Sequence, residues 1–153
     1  MNDDLRDLYQ EVILDHGRHP RNRRHPPDAN HSARGENPLC GDKLVVFLKV
    51  NAQGVIEDVA FEGQGCAIST ASASLMTEVI VGKTEDQARH LFESFHALAT
   101  GSDAPEDEEL EDEMDRLHVL AGVRDYPVRV KCATLAWHTM TAALADQQKV
   151  TTE

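Results

Sequence analysis

The sequence predicts an α+β domain in which a small antiparallel sheet of about three strands packs against several helices. Three observations carry that reading. A stretch from Lys43 to Phe61 alternates apolar residues on either side of turn residues at Asn51 to Gly54, which is a hairpin pattern. Apolar residues at helical spacing occur once before the hairpin and several times after it. The order helix, hairpin, then helices gathers the helices on one side of the sheet. With 153 residues, 41% of them hydrophobic, the chain suits one domain over residues 1–153 with one moderate core.

Leu5, Leu8, Tyr9, Val12 and Ile13 place the first helix at about residues 4–16, with Gly17 as its stop. His16 to Arg34 is polar and basic and contains Pro20, Pro26 and Pro27. That is long for a structureless connection, and a lone hairpin is marginal, so a third strand is expected between Asp28 and Glu36. In the first hairpin strand both alternation sets are apolar (Leu44, Val46, Leu48; Val45, Phe47), as for a strand covered on both faces. Val55, Val59 and Phe61 alternate with Glu57 on one face of the returning strand, which Gly63-Gln64-Gly65 ends.

Ile68, Ala71, Leu75 and Val79 mark the next helix, ending before Gly82. Thr84 and Gln87 form a capping box for a helix with the stripe Ala88, Leu91, Phe92, Phe95 and Leu98. Leu110, Met114, Leu117 and Ala121 suggest a shorter helix. Pro127 opens the last one, through Val128, Cys132, Leu135, Thr139 and Ala142, with Trp137, Met140 and Leu144 beside them. The tail after Gln147 is expected to fray.

The net charge of −12 argues against binding nucleic acid, which needs a cationic face. Residues 101–116 hold nine acids and one base, so most of that charge lies in one segment, read as a solvated helix face. The acidic start opens no signal-peptide core, and no apolar run is long enough for a membrane span, which places the protein in the cytoplasm. There three cysteines stay reduced, leaving core residues, a nucleophile or metal ligands as their roles.

The predicted elements put Cys40 before the hairpin, Cys66 after it at the mouth of one helix, and Cys132 near the start of another. A hairpin returns to its starting end, so Cys40 and Cys66 are expected to be close. A helix N-terminus favours a thiolate, which suits Cys66 and Cys132. Asp42 follows Cys40 after a flexible Gly41, and three thiolates with one carboxylate suit a tetrahedral zinc or part of an iron-sulfur cradle. From spacing alone, a dispersed cysteine is more often a core residue than a ligand, and an Asp after Gly more often turn chemistry.

Asn37-Pro38-Leu39-Cys40-Gly41-Asp42, Phe61 to Ser69 around Gly65-Cys66-Ala67, and Arg129-Val130-Lys131-Cys132 through Trp137 together resemble the U-type (IscU and NifU N-terminal-like) iron-sulfur cluster assembly family. Ile13-Leu14-Asp15-His16 and Pro20-Arg21-Asn22 extend the likeness over nearly the whole chain. Lys131 stands where scaffold members carry a His, which brings the chain nearer the SufU-type zinc-dependent sulfurtransferases, and the acidic span at about 100–122 matches that subgroup's insertion.

The resemblance implies a SufU/IscU-like fold, zinc held by Cys40, Asp42, Cys66 and Cys132, and Cys40 as the acceptor of persulfide sulfur. It implies a SufS-type cysteine desulfurase as partner, which carries the PLP, with downstream iron-sulfur assembly machinery beyond it. Arg129 matches the family's arginine and is expected to neutralise the anionic site. A scaffold assembling a [2Fe-2S] cluster on the same thiolates, and a non-catalytic zinc-stabilised adaptor, are the competing readings. Arg18, Arg21, Arg23 and Arg24 either dock the desulfurase or form a solvated loop. His16 and His19 read as surface or partner-contact residues, and His90, His96, His118 and His138 as ordinary helix positions.

Overall fold

The computed structural model describes residues 3–102 and 108–151, with side chains from residue 10. The side chains of Leu5, Leu8 and Tyr9, and Asp103, Glu106 and Asp107 of the acidic run, lie outside the described residues. Helix α1 (Asp3–Arg18) leads through an irregular segment to strands β1 (His31–Asn37), β2 (Asp42–Val50) and β3 (Ile56–Gln64). Helices α2 (Ala67–Ile80) and α3 (Glu85–Thr100) follow. A 3-10 turn, Glu108–Leu110, leads into α4 (Glu111–Leu117); a longer 3-10 stretch, His118–Asp125, precedes α5 (Pro127–Leu144), and β4 (Lys149–Thr151) closes the order.

The strands run in the order β3-β2-β1-β4. The hidden third strand is β1, antiparallel to β2, but β4 adds a fourth strand parallel to β1, so the sheet is mixed. The tail that was expected to fray instead covers the free edge of β1, and the Arg34 N–H donates to the Gln148 carbonyl at 2.8 Å. Three residues of unremarkable composition gave no sequence signal for pairing.

Rows such as Ala33-Val46-Phe61 face the helices, and Trp137 of α5 stacks on Phe95 of α3 with ring centroids 4.9 Å apart. At Gly35 a Cβ would come within 1.9 Å of Thr139 Oγ1, so α5 lies directly on β1 there. On the opposite face His25 stacks on Phe47, which explains why both sides of β2 are apolar.

Two glycines read as stops lie inside their elements instead. Helix α1 runs on through Gly17, where a Cβ would sit 3.4 Å from the Ala67 carbonyl oxygen, and ends ahead of Pro20. Strand β3 runs through Gly63, whose φ of 128° and position against the Lys43 carbonyl admit no side chain. A register shift between Lys49 and Val50 leaves Glu57 as an extra residue in β3, so Ile56, and not Val55, joins Val59 and Phe61 in the core. The capping box forms in both halves: the Gln87 N–H donates to Thr84 Oγ1 at 3.1 Å and the Thr84 N–H to Gln87 Oε1 at 3.0 Å.

Candidate metal centre

Three separate pieces of chain meet at one end of the sheet. Cys40 sits in the turn from β1 to β2, closed by its N–H donating to the Asn37 carbonyl at 3.2 Å. Leu39 is 63% exposed, Gly41 has a φ of 73° with open space where a Cβ would be, and Cys40 is half-buried. This turn has freedom to shift. Asp42, the first residue of β2, is 0% exposed and pairs across the sheet with Asn37.

Cys66 caps α2 as its N-terminal residue, and its Sγ accepts the Ser69 N–H at 3.4 Å. Its own N–H donates to Asp42 Oδ1 at 2.9 Å, which leaves Oδ2 4.0 Å from Cys66 Sγ. A Cβ on Gly65 would fall 2.8 Å from Asp42 Oδ1 and 3.1 Å from Ser69 Oγ, so this cradle requires glycine. Cys132 approaches from α5, 0% exposed, with its thiol 3.2 Å from Cys40 Sγ. Donor atoms of Cys40, Asp42 and Cys132 all lie within 4.8 Å of one another. Cys66 stands at the edge of this group: its Sγ is 4.0 Å from Asp42 Oδ2 and interacts with Cys132, but it lies beyond 4.8 Å from at least one of the other donor atoms.

Cys132 differs from the expectation for a helix N-terminus. It is the sixth residue of α5, beyond the free amides of the first turn. Burial first, then the hydrogen bond with Cys40 and the charges of Cys66 and Asp42, push its thiol far above the usual range. Arg129, exposed on the preceding turn, has its guanidinium pKa raised, first by the Coulomb attraction of Cys66 and then by a hydrogen bond it donates to Cys132. Lys131 is half-buried and enters none of the thiol contacts among the described residues.

Three sulfurs and one carboxylate oxygen are a donor set for a closed tetrahedral zinc site. Two sulfurs at about 2.3 Å from a tetrahedral ion are ~3.8 Å apart. The Cys40–Cys132 pair, at 3.2 Å, therefore needs only a small opening, which the exposed Cys40 turn can supply. The residues present fit the ion.

Other sequence expectations fared differently. His16, read as a surface residue, is 6% exposed: its Nδ1 lies 2.7 Å from Ser74 Oγ, its Nε2 3.7 Å from Glu78 Oε1, and burial lowers its pKa. Ser74 Oγ also accepts the Arg21 N–H at 2.9 Å, so this pair pins α1 and the following segment to α2. The basic stretch is largely tied down, with Arg21 on Asp15, Arg23 on the Gly63 carbonyl and Arg24 on Asp58. The acidic side chains of α4 are exposed except Glu113, which pairs with Lys83, while Leu117 on the same helix is buried in the core. Sequence reasoning gave no role to Asn37, although its place directly before the turn residue Pro38 marks it as an element end.

Residues 8–133 match the family model described as "NifU-like N terminal domain". A protein named zinc-dependent sulfurtransferase SufU, from Bacillus subtilis, is 36% identical over 96% of this chain and 96% of its own length. One named iron-sulfur cluster assembly scaffold protein IscU, from Streptococcus pyogenes serotype M1, is 37% identical over 92% of this chain and 84% of its own. A crystal structure of a candidate iron-sulfur cluster assembly scaffold protein for the SUF system, from Fervidobacterium islandicum, superposes with a TM-score of 0.81. It is 31% identical and covers 94% of this chain and 99% of that one. No helix among the described residues is long and apolar enough to cross a membrane.

Proposed function

This chain belongs to the NifU-like N-terminal domain family, that of the IscU and SufU iron-sulfur cluster assembly proteins, and from that membership we propose that it is a zinc-holding sulfur acceptor acting after a cysteine desulfurase. Cys40, Asp42, Cys66 and Cys132 hold the ion in this reading. The observation that carries it is the unequal setting of the donors. Asp42 and Cys132 are buried, and of the two half-exposed thiols Cys66 is fixed as the cap of α2 whereas Cys40 lies on a turn beside an unencumbered Gly41.

When bound, zinc stabilises thiolates and allows one ligand to exchange for another without redox chemistry. The Cys40 thiolate, once free, attacks the sulfane sulfur of the desulfurase persulfide. A new S–S bond forms on Cys40, the old one breaks, and the desulfurase cysteine leaves as its thiolate. Arg129 at the rim offers a cation to the anionic donor group while Cys40 is away. The partner is a SufS-type desulfurase and holds the PLP; the sulfur passes on to downstream iron-sulfur assembly machinery in the cytoplasm, and residues 1–153 act as one domain.

Incubating the zinc form with desulfurase and cysteine, then mapping added sulfur by mass spectrometry, tests this. One extra sulfur on Cys40 is expected. Sulfur absent from Cys40, with iron and sulfide giving a visible absorption spectrum on the same residues, would replace it with the scaffold reading that the IscU relative favours.

A further inference from the structure

Resting on the zinc reading above, we propose that Asn37 is a positioning residue: its side-chain amide donates an N–H···S hydrogen bond to Cys132, keeping that thiolate on the metal while Cys40 is the one released. Asn37 ends β1, is 0% exposed, and has Nδ2 3.7 Å from Cys132 Sγ, within hydrogen-bond reach for sulfur. Its Oδ1 has no hydrogen-bond partner. An apolar side chain could fill this buried space without an orphaned carbonyl. What asparagine adds, and an apolar residue lacks, is a donor aimed at the sulfur.

Asn37 touches the site in two further ways. Its carbonyl accepts the Cys40 N–H, and its backbone pairs with Asp42. It therefore fixes the turn that carries Cys40 relative to the helix that carries Cys132. The donors on the three sulfurs are unevenly shared. Cys66 accepts the Ser69 N–H, and Cys132, beyond the free amides of its helix, accepts from Asn37. Among the described residues Cys40 Sγ receives no N–H, only the Cys132 thiol.

N–H donors withdraw electron density from a thiolate and lower its nucleophilicity. The sulfur without one is the better nucleophile, and here it is also the one on the exposed turn. Asn37 thus separates a retained ligand from a released one.

The direct test uses the wild-type protein loaded with cadmium-113. A scalar coupling between the Asn37 side-chain amide protons and the metal, passing through Cys132 sulfur, is expected; a loaded protein without it overturns the proposal. Failure of the wild type to take up either zinc or cadmium sinks the underlying zinc reading instead.

Asn37→Ala, and the near-isosteric Asn37→Asp, which lacks the donor, are expected to weaken zinc binding roughly 10–100-fold in chelator competition. They should also move the sulfur-to-metal charge-transfer band of the cobalt form to longer wavelength and spread persulfide from Cys40 onto Cys132. Folded variants with zinc affinity within about threefold of wild type, or with an unmoved cobalt band, overturn the role.

Discussion

Adding one methyl group at Gly65 isolates the cradle that holds Asp42. The backbone there lies outside the left-handed region, so alanine brings no φ strain, only a Cβ 2.8 Å from Asp42 Oδ1 and 3.1 Å from Ser69 Oγ. Carbon and oxygen in ordinary contact stay at about 3.4 Å or more, so the carboxylate must retreat by roughly half an ångström. Asp42 is fully buried and is held at that oxygen by the Cys66 N–H, so retreat breaks a charge-assisted bond worth about 1.5–3 kcal/mol. The metal-free protein is expected to lose about 1–3 kcal/mol of fold stability, a melting shift of roughly 2–10 °C. Separately, a displaced ligand is expected to cost about 10–100-fold in zinc affinity. Chelator competition on Gly65→Ala, alongside its thermal melt without metal, separates the two. A Gly65→Ala protein that binds zinc as tightly as wild type would refute both the crowding argument and the place of Asp42 among the ligands.

Cys40→Ala is expected to abolish persulfide acceptance while the fold persists, since the turn is exposed; mass spectrometry that still finds desulfurase-derived sulfur on the variant removes Cys40 from its role. His16 has a folded pKa below its usual value, chiefly through burial, so the unfolded chain binds more protons. Stability present above the unfolded value near 6.5 is therefore lost as pH falls through it toward the folded pKa, and His138, also lowered by burial, adds to the same slope. Thermal melts from pH 7.5 to 5.5 should show the loss, and His16→Gln should flatten it; an equal slope in the variant refutes the assignment. Deleting residues 149–153 removes β4 and the Lys149–Glu36 pair, for an expected loss of about 1–2 kcal/mol, with zinc affinity unchanged. Denaturant unfolding and chelator competition check the two halves.

The hairpin, the capped α3 and the Pro127-led α5 were legible because their periodicity and end chemistry agree, and β1 was inferred because two strands would not suffice. What escaped were effects decided by a distant segment. Gly63 looks like a breaker, yet it lets the Lys43 backbone come close within a continuing strand. The pairing of β4 depends on an edge 115 residues earlier, Arg34 to Lys149, which no local pattern encodes. His16 reads as polar surface because its partner, Ser74, lies on a helix whose small residues reveal nothing of what packs on them. The convergence of Cys40, Asp42, Cys66 and Cys132 at one end of the sheet was reachable from the hairpin return and the motifs, but their unequal burial was not.

That inequality gives the site its chemistry. The fold alone disfavours the ionised state of Cys132: burial and neighbouring anionic groups hold the proton on, and the nearest cation, Arg129, stands exposed at the rim. One guanidinium cannot offset three thiolates and a carboxylate. A divalent ion can, and it reverses the sign of the local electrostatics by deprotonating the thiols it binds. On the zinc reading proposed above, the metal would meet the cost of assembling these anions, and least completely at half-buried Cys40, whose sulfur receives no N–H among the described residues. Removing Cys40 from the ion exposes little new unsatisfied charge, whereas removing Cys132 or Asp42 would strand a charge in the interior. Burial thus separates Asp42 and Cys132 from Cys40 and Cys66, and on the proposed reading the helix cap that holds Cys66 leaves Cys40 as the ligand free to go.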